Sequence, residues 1–155
     1  MVDSKSDMII LHVGHKDLWI GHKTKDVIKD LKEIISELLS HTETRVCISL
    51  IIPGSGQYPR LEKEVSIVNK AIAEHISSLR KDKRFSNRVF TANNNRLREF
   101  MSKDVDPNGT QLTLSSKGKN LLWLRLRDNM TRSLKSPQSK ENSGIQHFSS
   151  KRVTG

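Results

Sequence analysis

The sequence predicts an α/β fold: a thin parallel sheet with helices running between its strands. Three observations carry this. Short apolar or β-branched runs stand at residues 8–13, 45–52 and 87–91. Between them lie two long stretches whose apolar residues recur every three or four positions, the period of a helix packed on one side. The order is therefore β-α-β-α-β, followed by a loop and one more helix. Helical crossovers of this length join parallel neighbours in a right-handed sense.

The first strand is Met8 to Val13, read as MIILHV, and it breaks at Gly14. His15, Lys16 and Asp17 follow it. A strand that ends in a glycine turn with polar groups beyond is where an open α/β sheet places a ligand. Residues 16–23 read as a loop holding Trp19 and Ile20. From Thr24 the period changes. Val27, Ile28, Leu31, Ile34, Ile35, Leu38 and Leu39 form one wide apolar stripe. Thr24 suits an N-cap, and Asp26 in the first turn suits the helix dipole.

Arg45 to Ile52, RVCISLII, is the second strand, stopped by Pro53-Gly54-Ser55-Gly56. The second helix runs from about Leu61 to Lys81 on Leu61, Val65, Val68, Ile72, Ile76 and Leu79. Asn87 to Thr91 is a short third strand, with Phe90 directed to the core. Residues 92–114 read as a long polar loop. Ser115 or Ser116 caps a third helix that ends near Ser133, with Leu121, Leu122, Leu126 and Met130 on one side. Leu121-Leu122-Trp123-Leu124 is apolar all round, which suits burial on several faces or a partner. The expected architecture is a three-layer α/β/α, flavodoxin-like sheet of about three strands and three main helices. It occupies residues 1–133. A disordered, basic tail rich in Ser and Lys takes residues 134–155.

The succession of landmarks resembles the SGNH (GDSL-type) hydrolases, in the divergent form found in animal genomes and some retrotransposon open reading frames. Leu11-His12-Val13-Gly14-His15-Lys16-Asp17 is similar to the family strand ending in G-x-N-D. Ile48 to Pro53 resembles the strand ending near I-x-P, and Val68-Asn69-Lys70-Ala71-Ile72 a helix core of the form V-N-x-x-L/I. Leu114-Ser115-Ser116-Lys117-Gly118, with Leu121 and Leu122 beyond, resembles the second half of the family's late block. The likeness covers roughly residues 6–132.

The departures from that pattern decide what it implies. The family nucleophile sits in a Gly-Asp-Ser motif on an earlier strand, and these 155 residues contain no such motif. The resemblance thus implies a domain truncated to its later strands. Lys16 stands where an asparagine donates to the oxyanion, next to Gly14 and Asp17 of the same block. Thr113 stands where the general-base histidine belongs, and Thr110 where its aspartate belongs. A one-gap alternative through Asn108-Gly109-Thr110-Gln111 restores neither group. Serine acyl transfer needs a hydroxyl, a base near neutral pKa and oxyanion donors. The expectation is a catalytically inactive domain with a residual role in binding. Two alternatives accompany it: a nucleic-acid-associated module of the retrotransposon type, and a fragment of an active esterase whose Gly-Asp-Ser block lies upstream.

Charge directs attention to the second half of the chain. Residues 1–79 hold 10 Lys/Arg against 11 Asp/Glu, while residues 80–155 hold 17 against 6, so the net +10 lies wholly in the latter. Arg80, Lys81, Lys83, Arg84, Arg88, Arg96 and Arg98 are the candidate nucleic-acid contacts, with Phe85, Phe90 and Phe100 interleaved for stacking on bases. His12, His15 and His22 beside Asp17 read as a strand histidine bonded to backbone plus two loop histidines rather than a metal site. His75 reads as structural. Gly54-Ser55-Gly56 lacks the ending of a phosphate loop, and Ser55 lacks the surroundings of a nucleophile elbow. No metal and no cofactor are expected. The lone Cys47 lies in an apolar run and reads as a small buried hydrophobe. No apolar run approaches the roughly 18 residues of a membrane span, and the acidic N-terminus does not read as a signal peptide. An intracellular protein, cytoplasmic or nuclear, is expected. An edge position for the first strand would invite self-association or strand addition by another chain.

Overall fold

The computed structural model describes residues 8–41, 43–54, 56, 58–105 and 112–135. Three strands, β1 (Met8–Leu11), β2 (Arg45–Ser49) and β3 (Val89–Ala92), form one sheet in the order β1-β2-β3. All pairings are parallel, with Met8 opposite Arg45, Leu11 opposite Ile48, Val46 opposite Val89 and Ser49 opposite Ala92. The α/β class and the three-strand parallel sheet expected from the sequence are what the structure shows.

The crossovers are α2 (Thr24–His41) and α3 (Pro59–Leu79). Their apolar stripes are the reason they are helices here. Val27, Leu31, Ile35 and Leu39 of α2, and Leu61, Val65, Val68, Ile72 and Ile76 of α3, are all buried. They close over Val46, Ile48 and Val89 on one face of the sheet. Each such side chain contributes about 1.5–3 kcal/mol on burial. Alternation along β2 turns Cys47 to the other face, where it meets Ala92 and Leu126 of α4 (Ser116–Lys135). Burial pushes the Cys47 thiol up to about 11, so it is inert at neutral pH. The long α4 thus supplies the third layer. Its cap is Ser115, whose Oγ accepts from the Gly118 N–H at 3.2 Å.

Several expectations need correction. Residues 16–23 are not all loop, because α1 (His15–Trp19) begins at once after Gly14. Gly14 has φ 105°, and Leu18 N–H donates to its carbonyl at 3.2 Å. Leu18 is then buried in the main core, and Trp19 meets Tyr58 edge-on at 5.1 Å. Thr24 opens α2 as its first residue, and Asp26 N–H and Val27 N–H donate to the Lys23 carbonyl instead. The polar stretch after β3 is likewise not all loop. It holds a 3-10 helix (Asn95–Phe100) and an antiparallel pair, β4 (Met101–Val105) and β5 (Leu112–Leu114). Leu97 and Met101 anchor this segment in the core. Phe90 is half-buried, not core, with the Arg80 guanidinium 5.0 Å from its ring centre. Trp123 is 59% exposed. Helix α4 runs through residues 134 and 135, the first two of the expected tail, and the rest of that tail lies outside the described residues. No helix among the described residues is long and apolar enough to cross a membrane.

Candidate functional site

The carboxyl ends of the three strands carry a chain of neutral polar groups. His12 follows β1, Ser49 closes β2 and Asn94 follows β3. Ser49 Oγ lies 2.8 Å from His12 Nδ1 and accepts from Asn94 Nδ2 at 2.8 Å. Asn94 Nδ2 also donates to the Leu50 carbonyl at 2.6 Å. Parallel strands that end together leave carbonyls and N–H groups without ladder partners. This trio ties the three ends to one another. His12 meets the backbone of Ser49, as the sequence leads one to expect, and its side-chain hydroxyl as well.

A second clamp lies next to it. Asn69 of α3 accepts from the Ile51 N–H at 2.9 Å and donates to the Ile51 carbonyl at 2.7 Å. One side chain thereby satisfies both polar groups of a buried residue just past β2.

Ser49 beside His12 has the first two members of a hydrolytic set. The surroundings are wrong for that chemistry. Ser49 is 2% exposed and held from two sides, so no substrate carbonyl can reach its Oγ. Burial lowers the His12 pKa from its ordinary value, while a backbone hydrogen bond at Ser49 pulls the other way. The pKa of His15 is lowered too, by burial first and by the neighbouring His12 second. Both rings are thus held toward the neutral form. His15 Nε2 and Asn94 Oδ1 are buried and find no partner among the described residues.

The positions matched to the hydrolase pattern fall as follows. Gly14 is buried at the turn, where a Cβ would stand 2.9 Å from Ile51 Cδ1. Lys16 is exposed on α1, and Asp17 lies 3.5 Å from His22 Nδ1. Thr113 belongs to β5, the outer hairpin, away from the three-strand sheet in the topology. Thr110 and Ser55 lie outside the described residues. Among the described residues no three His, Cys, Asp or Glu groups come together so as to hold a metal ion.

The seven basic candidates divide between the two ends of the sheet. Arg80, Lys81, Lys83, Arg84 and Arg88 lie between α3 and β3, at the amino end. Arg96 and Arg98 lie past β3, at the carboxyl end. A four-residue strand separates the groups by about 13 Å. At the amino end several are engaged. Arg84 Nη2 pairs with Asp82 at 2.7 Å. Arg88 donates to the Leu39 carbonyl at 3.2 Å, at the close of α2, and stands 5.9 Å from the Phe85 ring centre. Arg98, at the other end, lies 3.1 Å from the Glu62 carboxylate.

Arg98 also borders an open cavity of about 720 Å³ at the carboxyl edge. One side of α3 lines it through Pro59, Glu62, Lys63, Ser66, Asn69, Lys70 and Ala73. These are spaced by three or four, a second stripe beside the apolar one. Sequence reading followed the apolar stripe and passed over the polar one. The run Asn93-Asn94-Asn95 was likewise missed, although three asparagines after a strand signal side chains that bond local backbone. Asn93 Oδ1 does so, accepting from the Asn95 N–H at 2.9 Å. Comparison with protein-family models, with curated proteins and with solved structures found no match.

Proposed function

We propose that this chain is a binding module whose frame resembles the SGNH hydrolases and which does not hydrolyse esters. The observation that carries the reading is Ser49: bonded to His12, 2% exposed, and tied to Asn94. A hydroxyl in that setting braces the sheet edge. The residues behind the resemblance do comparable work. Gly14 allows the tight turn under Ile51, Asn69 clamps the Ile51 backbone, and Gly118 lets α4 approach Phe100, where a Cβ would stand 2.6 Å from Phe100 Cβ. These are scaffold duties. Of the chemical positions of the same pattern, those of the base pair hold Thr110 and Thr113, whose hydroxyls cannot take a proton from serine at neutral pH, and that of the oxyanion amide holds Lys16, which lacks the fixed amide geometry.

The test is ester hydrolysis by the purified full chain, with p-nitrophenyl acetate and butyrate as substrates. The expected rate equals that of the Ser49→Ala variant and of a heat-denatured sample. Turnover well above both, lost in Ser49→Ala, would contradict the reading.

A further inference from the structure

We infer that the cavity beside α3 binds a phosphate-bearing small molecule, a phosphomonoester of about nucleotide size, through Lys63, Lys70 and Arg98. This deepens the binding reading above and rests on it.

Charge is the first reason. Three cations border the cavity against a single carboxylate, Glu62. That carboxylate is already occupied: Gly56 N–H donates to its Oε1, and Arg98 Nη2 lies 3.1 Å from both oxygens. Lys63 and Lys70 are exposed and make no ion pair among the described residues. The field inside is therefore positive, and it suits a dianion better than a single carboxylate.

Donor geometry is the second. Arg98 uses one terminal nitrogen on Glu62, which leaves further guanidinium N–H groups in a planar fork. Asn93 is turned by the bond from Asn95 N–H to its Oδ1, so its amide NH2 remains to donate. Cations on α3 and on the 3-10 helix face one space from two sides. That arrangement matches the several oxygens of a tetrahedral phosphate.

Shape selects a small ester over a nucleic-acid strand. A cavity of about 720 Å³ lies within the usual range for small ligands, roughly 300–1,000 Å³. Leu50, Pro53 and Pro59 give it an apolar wall for the rest of the ligand. Of the other basic candidates, only Arg96 shares this end; Arg80 to Arg88 stand at the opposite end of β3 and, among the described residues, make no continuous track with the cavity. A strand following its own phosphates would need such a track.

The test is calorimetric titration of the full chain at about 150 mM salt with AMP, adenosine, inorganic phosphate and a ten-residue oligothymidylate. AMP is expected to bind at least tenfold tighter than adenosine, with phosphate alone weaker than AMP. Lys70→Gln and Arg98→Gln should each weaken AMP at least tenfold with an unchanged circular dichroism spectrum. Lys81→Gln, at the other end of the sheet, should change nothing. Three results would overturn the site: no AMP binding, AMP affinity equal to that of adenosine or untouched by both cavity variants, or oligothymidylate binding alone that Lys81→Gln abolishes. The ester assay stands apart. Turnover together with AMP binding would remove the non-catalytic reading and leave the cavity, whereas neither turnover nor AMP binding would remove the cavity alone.

Discussion

The two ends of one short sheet are finished in different ways. At the amino end, charged side chains serve the fold. Arg88 bonds the carbonyl that closes α2, Arg84 pairs with Asp82, and Arg80 covers Phe90. At the carboxyl end, neutral groups serve the fold. His12, Ser49, Asn94 and Asn69 hold strand ends and loop. Lys63, Lys70 and Arg98 there line an open cavity. Arginines that look alike along the sequence thus do separate work, and what separates them is the length of β3. A basic stretch is evidence about partners only after the fold has taken its share.

The largest expected effect is at the neutral clamps. Asn69→Ala leaves the Ile51 N–H and carbonyl buried and unsatisfied, and each such orphan costs about 1–3 kcal/mol. Denaturant unfolding should show a loss of about 2–6 kcal/mol on that basis. A loss under about 0.5 kcal/mol would mean that water replaces the amide and the clamp is idle.

Next comes the turn that starts the carboxyl edge. Gly14→Ala forces a side chain into a φ of 105° and toward Ile51 Cδ1 at 2.9 Å. Such strain costs about 1–3 kcal/mol. Gly118→Ala meets Phe100 instead, and a gain in helix propensity of about 1 kcal/mol partly offsets the overlap.

The contrast between arginines is smaller and sharper. Arg88→Ala removes a charged donor from a half-buried carbonyl and should cost about 1.5–3 kcal/mol. Arg98→Ala breaks a surface pair with Glu62 and should cost less than about 1 kcal/mol. Equal losses would erase the division of labour between the ends. Arg84→Ala, on an exposed pair, should leave the melting temperature unchanged.

The smallest effect is with pH. The pKa values of His12, His15 and His75 all lie below the ordinary histidine value, chiefly because burial disfavours the cation. The unfolded chain therefore binds protons first as pH falls. Stability is full above the unfolded value of about 6.5 and declines as pH drops through the lower folded values. Melting curves between pH 7.5 and 5 should show that decline, and His12→Gln should make it shallower.

Much of the frame was legible because it rests on periodicity. The stripes of α2 and α3 and the β-branched run of β2 announce themselves within a few residues of their true bounds. Ser115 was legible as a cap for the same local reason. What escaped depends on distant partners. Nothing local to Ser49 says that His12 and Asn94, 37 and 45 positions away, will meet it. The strands Met101–Val105 and Leu112–Leu114 escaped because their pairing is with each other, the first run does not alternate cleanly and the second is only three residues long. The basic stretch misled for the opposite reason: it is local in sequence, and the strand inside it carries its halves to opposite edges.

The most direct measurement is a map of backbone amide shifts in the isotope-labelled full chain as AMP is added. Saturable shifts should gather at Asn93, Asn95, Arg98 and the Lys63–Lys70 stretch of α3, with Arg80 to Arg88 still. Shifts centred on Arg80 to Arg88, with the carboxyl end silent, would contradict the assignment of the two ends.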